Sequence, residues 1–581
     1  MTLLQTIRRY IWRFPRSALV LVFAAVAFSP VSAQAPVTAA NAAVQAKNGM
    51  VVSEEALATR IGVEILRQGG NAADAAVAVG FALAVTLPES GNLGGGGFMV
   101  IKLADGNRAI AIDYRETAPA AATQKMFLNE KGEADPQRSR FSGLAVGVPG
   151  TVAGLAYAHR RYGSGKFSLA QLIAPAIPLA REGIEVSARM SDSIARAQLQ
   201  LARHSSSADI FLKPDGTVPQ PGDRLVQKDL ATTLVEIARE GAFAFYEGPI
   251  ADHIAAAARL AGGNMTRHDL AAYKVREREP VRGTYREHDI ISMPPPSSGG
   301  VHLVQMLNLL EGYDLRALKH NSPETIHLLA ESMKLAYADR SEFLGDPDFV
   351  KVPAGGLTSK RYADKLRAQI DRGRARSAAE IKPGKPARFE SDHTTHYSVA
   401  DRFGNAVANT YTLNFFFGVG MVAEGTGILL NNELDDFAAA PNAPNAYGLV
   451  GGDANAPGPR KRPLSSMTPT IVQKDGKPFL VTGAAGGSRI ITSVLQTVLN
   501  VVDFGMELGA AVAAPRIHHQ WLPDELELEP GIDPSVLAAL EERRQNAREG
   551  RSGRSVNSIM ATAHGFAGAS DPRSGGLAEG Y

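Results

Sequence analysis

Between Thr394 and Asn414 the chain spells out a β-hairpin, and this pattern limits the fold more than any other stretch. Thr395 to Val399 is β-branched and aromatic, Asp401-Arg402-Phe403-Gly404-Asn405 supplies a turn, and Ala406 to Asn414 returns as a second strand. Two more turns, Asp105-Gly106 and Asp475-Gly476, adjoin the strand-like runs Ala109-Ile110-Ala111-Ile112 and Phe479-Leu480-Val481. Three hairpins predict a largely antiparallel sheet system. Helical patterns lie before and between them. One is capped by Ser53, carries Leu57, Ile61 and Ile65 on one face and ends at Gly69-Gly70; a second, rich in small residues, runs from Asn71 to just before Pro88. Others cover 228–240 and 324–337, the latter with Ser322 as N-cap and Pro323 at its first position. Helices and strands do not alternate regularly, so the expected class is a layered α+β fold.

The hairpin opens with His393-Thr394-Thr395-His396-Tyr397-Ser398, which places hydroxyls at the head of a strand. In most proteins such a start is plain β-structure. A threonine hydroxyl is a weak nucleophile and needs a base; an α-amino group freed by cutting the chain before Thr394, with a reference pKa of about 7.7 to 8.0, could serve. The polar, basic, proline-containing stretch from Arg372 to Arg388 lies just upstream, where a processing loop would need to be exposed. The 581 residues include no cysteine, so thiol catalysis and disulfides are excluded. A formal net charge of +2, with no basic run interleaved with aromatics beyond the first residues, argues against nucleic-acid binding. At the N-terminus Arg8, Arg9, Arg13 and Arg16 precede the apolar run Ala18 to Phe28 and then Val31-Ser32-Ala33. This reads as a cleaved secretory signal peptide over residues 1–33, too short to span a bilayer, with a soluble mature chain from near Gln34.

Candidate site residues gather at hairpin ends. The first hairpin runs into Asp113-Tyr114-Arg115-Glu116 and the second ends at Asn414. The third lies between Arg462-Pro463-Leu464-Ser465-Ser466-Met467 and Gly483-Ala484-Ala485-Gly486-Gly487-Ser488-Arg489. Adjacent glycines can turn backbone N–H groups toward a developing oxyanion. Gly94-Gly95-Gly96-Gly97 lacks both a Gly-Lys-Ser/Thr ending and a G-x-G-x-x-G spacing, so close backbone packing is its expected role. His393 and His396, or His518-His519, lack metal-site spacing and read as structural or solvent-facing. Asp435-Asp436 reads as a solvated turn and Asp346-Pro347-Asp348 as a loop.

From about Gly49 to Tyr581 the chain resembles the γ-glutamyltranspeptidase family. The blocks that carry the likeness are Gly69-Gly70-Asn71-Ala72, Gly91-Asn92-Leu93-Gly94-Gly95-Gly96-Gly97-Phe98, Met293-Pro294-Pro295-Pro296-Ser297-Ser298-Gly299-Gly300, Tyr337-Ala338-Asp339-Arg340, the segment around Thr394, Pro463-Leu464-Ser465-Ser466-Met467, and His519-Gln520-Trp521-Leu522-Pro523. The resemblance implies an N-terminal nucleophile hydrolase fold, a four-layer αββα sandwich. It also implies autocatalytic cleavage between His393 and Thr394 into a large subunit, 34–393, and a small subunit, 394–581, intertwined in one domain as a heterodimer. By similarity Thr394 is the nucleophile, Thr412 supports it, and Gly486 and Gly487 stabilise the oxyanion. Arg115, Ser465 and Ser466 would take the α-carboxylate of a γ-glutamyl group, and Asn414, Glu433 and Asp436 its α-ammonium, which is the chemistry each end requires. Tyr447 matches a lid loop.

The implied activity is transfer of the γ-glutamyl group of glutathione and related compounds to water, amino acids or peptides. No cofactor or metal is called for, and the implied address is periplasmic. Phe415-Phe416-Phe417 stands where some bacterial relatives carry hydroxyls, Glu433 where some carry Gln, and His393 before the cut is unremarkable for chemistry. These departures bear on the acceptor side, lid packing and processing. The alternatives are an acylase for glutaryl amides, against which Asp436 speaks because a glutaryl group has no ammonium, and an inactive homologue that only binds γ-glutamyl peptides.

Overall fold

The computed structural model describes residues 42–106, 108–386, 396–550 and 555–581. Two seven-stranded sheets face each other. Their strands, in chain order, are β1 Val44–Ala46, β2 Met50–Ser53, β3 Gly96–Lys102, β4 Ala109–Tyr114, β5 Arg276–Arg278, β6 Val281–Tyr285, β7 His288–Ser292, β8 Tyr397–Ala400, β9 Ala406–Thr412, β10 Thr470–Lys474, β11 Lys477–Thr482, β12 Asn557–Thr562, β13 Gly565–Ser570 and β14 Leu577–Gly580. One sheet has the order β14-β2-β8-β9-β3-β4-β5 and the other β1-β13-β12-β11-β10-β7-β6. Every pairing within both is antiparallel. The three expected hairpins are present: β8 and β9 meet with Ala400 opposite Ala406, β3 and β4 with Lys102 opposite Ala109, and β10 and β11 with Lys474 opposite Lys477.

Period-2 alternation sorts side chains into layers. Met50, Val52, Phe98, Val100, Ala406 and Ala408 point inward and meet Ile291, Ile471, Val481 and Ile559 of the facing sheet. Their neighbours Val51, Met99, Ile101, Val399 and Val407 point outward, into a core shared with α1 (Ala56–Arg67) and α2 (Ala72–Thr86). Outward residues of the second sheet, among them Ile290, Val472 and Leu480, pack on α3 (Gly299–Leu310), α4 (Pro323–Phe343) and α5 (Arg489–Val502). The result is helix, sheet, sheet, helix.

Local signals explain the helices. Asn71 and Asp74 close a capping box at α2, and the Ser322 hydroxyl accepts from the Thr325 amide with Pro323 in the first turn of α4. The cap of α1 is Glu55 rather than Ser53: its carboxylate accepts from the Leu57 and Ala58 amides, while Ser53 Oγ hydrogen-bonds Glu55 and Thr59. A carboxylate at the N-cap also complements the helix dipole, which a hydroxyl cannot do. The glycine run packs closely, as expected: a Cβ on Gly95 would lie 1.9 Å from the Thr412 carbonyl oxygen, so the turn into β3 can approach the end of β9 only without a side chain.

Candidate active site

The ends of β4 and β9, the short helical turn Glu433–Asp436 and the loop after Arg462 converge beside the sandwich. Arg115 follows β4 directly, and its guanidinium is fully buried. It donates from Nη2 to Asp436 Oδ2 at 2.8 Å and from Nε to the Pro463 carbonyl at 3.3 Å, and Nη1 bonds Glu433. Glu116 Oε2 lies 3.9 Å from the same Nη1. Three buried carboxyls thus share one guanidinium. Burial pushes the carboxyls of Glu433, Asp436 and Glu116 upward and Arg115 opposes the shift, so the cluster titrates as a unit and holds protons a solvated group would have lost.

Asn414 sits just past β9 in the left-handed region, φ 74°, which Asn tolerates better than most residues. Its amide donates to Thr412 Oγ1 at 2.8 Å, and its side-chain NH2 to the Asn432 carbonyl at 3.0 Å, which leaves Oδ1 as an acceptor. Ser465 and Ser466 are buried, and neither hydroxyl has a hydrogen-bond partner among the described residues. Ser465 is held by its backbone: its carbonyl accepts from Ser298 Oγ at 2.9 Å, and its amide donates to Pro296 at 3.3 Å. Gly486 and Gly487 take φ of 130° and 59° immediately before α5.

Tyr447 ties the loop that carries it to this site. Its hydroxyl donates to the Asn414 carbonyl at 2.8 Å, and its ring lies so close to Gly487 that a Cβ there would meet Cδ1 at 2.4 Å. Phe415 packs edge-on against the ring with centroids 6.2 Å apart, so this departure from hydroxyl residues contributes to lid packing. Asn445 donates to Asp436 Oδ1 at 3.0 Å and the Ala446 amide to Asp435 Oδ2 at 3.0 Å.

The structure therefore brings Arg115, Thr412, Asn414, Glu433, Asp436, Ser465, Tyr447 and Gly487 into one connected region, with Ser466 and Gly486 adjoining it in the chain. Thr394, together with His393, lies outside the described residues. One sequence expectation does not hold. Asp435 is not in a solvated turn; it is 2% exposed and also accepts from Ser139 Oγ at 2.6 Å and Arg140 Nε at 3.3 Å. The loop at Asp346-Pro347-Asp348 is part of a charged scaffold: Asp346 accepts from the Arg462 amide at 2.7 Å, and Arg278 bridges Asp113 and Asp348 at 2.8 and 3.1 Å. Asp113 Oδ1 in turn receives the Arg115 amide at 3.0 Å. His518 is buried, hydrogen-bonded to Thr492 Oγ1 and Gln520 Oε1, and desolvation pushes it down to about 3. Apart from the Asp113–Arg115 and His518–Gln520 contacts, two positions apart, these partners are distant in sequence, and only the charge of Asp346 and Asp348 hinted at a role.

The sequence profile described as Gamma-glutamyltranspeptidase matches residues 58–581. The glutathione hydrolase proenzyme of Escherichia coli (strain K12) is 54% identical over 533 residues, 91% of each chain. That of Pseudomonas sp. (strain A14) is 47% identical, covering 94% of this chain and 96% of its own. Among solved structures, a cephalosporin acylase from Bacillus halodurans superposes with a TM-score of 0.82 at 28% identity, over 96% of this chain and 99% of that one.

Proposed function

The chain belongs to the γ-glutamyltranspeptidase family, and on that premise we propose that Arg115, Ser465, Ser466, Asn414, Glu433 and Asp436 hold the amino-acid end of a γ-glutamyl group. The protein is an enzyme, a γ-glutamyltransferase and glutathione hydrolase made as a precursor, on the N-terminal nucleophile hydrolase fold. The observation that carries the site reading is the buried contact of Arg115 with Glu433 and Asp436 beside two serine hydroxyls that have no hydrogen-bond partner among the described residues. A zwitterion fits such a pair: its carboxylate takes the guanidinium and the two hydroxyls, while its ammonium takes the carboxylates that Arg115 releases and Asn414 Oδ1. Exchanging one set of ion pairs for another keeps buried charge compensated.

Cleavage before Thr394 would yield the subunits 34–393 and 394–581 and free the α-amine. That amine takes the Thr394 hydroxyl proton as the oxygen attacks the γ-amide carbonyl, Thr412 steadies the nucleophile, and the Gly486 and Gly487 amides meet the oxyanion. The amine then protonates the departing nitrogen, leaving a γ-glutamyl ester that water or the amine of an amino acid or peptide resolves. Residues 1–33, outside the described residues, would direct export to the periplasm; no helix among the described residues is long and apolar enough to cross a membrane.

The likeness to an acylase keeps a second substrate in view. A glutaryl amide would leave Glu433 and Asp436 without a cation, at the cost of desolvated, unpaired carboxyls. Intact-mass measurement should show two chains, the second beginning at Thr394, and Thr394→Ala should stay uncut and inactive. The γ-glutamyl anilide should then outpace the glutaryl anilide; the reverse order would assign the acylase reaction instead.

A further inference from the structure

Two sequence blocks reach beyond the substrate site: Tyr337-Ala338-Asp339-Arg340, and His519-Gln520-Trp521-Leu522-Pro523 with the Asp524 that follows. Both grip the segment that leads to the cut. Asp339, buried on α4, accepts the Gly384 amide on Oδ1 at 2.7 Å. Its Oδ2 receives Gln305 Nε2 at 2.6 Å and the Tyr362 hydroxyl at 2.9 Å. Gly384 could carry no side chain there, since a Cβ would fall 1.9 Å from the Tyr362 hydroxyl oxygen. Six residues earlier, the Ala378 amide donates to Asp524 Oδ2 at 2.7 Å, and the Ala378 carbonyl accepts the Trp521 indole N–H at 3.0 Å. His519 Nε2 stands 3.3 Å from Asp524 Oδ1 and orients that carboxylate. Between the two grips Ile381 is fully buried among Leu335, Ala338, Leu344 and Leu464. Trp521 and Asp524 lie on the C-terminal side of the cut and Ala378 on the N-terminal side, so these bonds join the two future subunits.

We propose that Asp339, Trp521 and Asp524 form a clamp that positions the His393–Thr394 peptide bond for the chain's own cleavage, as positioning residues in maturation rather than in turnover. In that step Thr394 Oγ adds to the His393 carbonyl carbon and gives up its proton. The C–N bond breaks, the nitrogen takes the proton to become the α-amine, and water hydrolyses the ester to a His393 carboxylate and the Thr394 hydroxyl. Only nine residues separate Gly384 from Thr394. Releasing both grips would lengthen the tether to the seventeen residues that follow Arg376, whose carbonyl Lys334 Nζ still holds at 2.8 Å. The local concentration of the bond would drop about 2.5-fold from chain statistics alone, with further loss from misorientation.

The proposal rests on the assignment of the cut before Thr394. It is tested by following the conversion of full-length chain into two subunits by intact mass for Asp339→Asn, Asp524→Asn and Trp521→Phe. Conversion should slow about tenfold or more in each, while the fraction that has matured keeps KM and kcat for a γ-glutamyl anilide within twofold. Trp521→Phe keeps the ring and loses one N–H donor, so it reports even if Asp339→Asn does not fold. Conversion within twofold of the unaltered chain, or a kcat that falls in step with conversion, overturns the clamp. A Thr394→Ala chain that still splits overturns instead the cut assignment beneath it.

Discussion

Ser466 and Arg115 show how differently two buried polar groups can stand toward folding. The Ser466 hydroxyl has no hydrogen-bond partner among the described residues, so its removal forfeits no hydrogen bond to them. Ser466→Ala should therefore leave the urea midpoint unchanged or slightly higher, and raise KM for a γ-glutamyl anilide about tenfold through loss of a charge-assisted hydrogen bond worth about 1.5 kcal/mol. A clear loss of stability would mean that the hydroxyl serves the fold. Arg115 is the opposite case. It already compensates Glu433 and Asp436, so Arg115→Ala should cost both stability, by about 3 to 5 kcal/mol, and activity. The partners of Arg115 were named from resemblance, but their contact in the folded chain was not legible, because Arg115 and Asp436 lie 321 residues apart.

The loop that carries Tyr447 is fastened at four points, two of them on the turn Glu433–Asp436. Tyr447 bonds Asn414 after β9, Asn445 bonds Asp436, Ala446 bonds Asp435, and Gln520 Nε2 holds the Tyr447 carbonyl at 2.9 Å. Asp435 links this loop to the short helix Pro136–Arg140 through Ser139 and Arg140. Asp435→Asn replaces a carboxyl that accepts from Ser139, Arg140 and Ala446 with an amide whose NH2 cannot accept from them. Amide exchange across 440–449 should rise about tenfold, with KM increasing and the sheet amides unaffected. Unchanged exchange in that loop would show that Asp435 does not fasten it. Sequence reading took Asp435-Asp436 for a solvated turn because acidic pairs usually favour water; the donors that make burial tolerable come from Ser139, Arg140 and Ala446, distant in sequence or hidden in the backbone.

At the scale of the whole molecule, buried histidines among the described residues contribute a response to acid, and His302, His396 and His518 are the most strongly shifted. Burial pushes His302, His396 and His518 from 6.5 down to about 3, so each is neutral in the fold and takes up a proton on unfolding. A depressed folded pKa contributes stability that is present above the unfolded value and lost as pH falls toward the folded one. The window is thus about pH 6.5 to 3, at up to about 1.4 kcal/mol per pH unit per group. Asp339, which burial raises to about 6, works in the opposite direction, gaining stability as pH falls, so the histidine contribution is best isolated by difference. His302→Asn should flatten the fall in urea midpoint between pH 6.5 and 4 relative to the unaltered chain; parallel curves would show that His302 is not neutral in the fold. By itself the sequence determined the three hairpins, the caps of α2 and α4 and the chemical kinds of group in the site, because turn residues, periodicity and capping act over a few positions. Only the tertiary structure decided that Glu55 rather than Ser53 caps α1, that Asp346 and Asp348 brace Arg462 and Arg278, and that two family blocks close on Ala378 and Gly384. Those outcomes depend on desolvation and on partners brought together by the packing of two sheets, which no local pattern encodes.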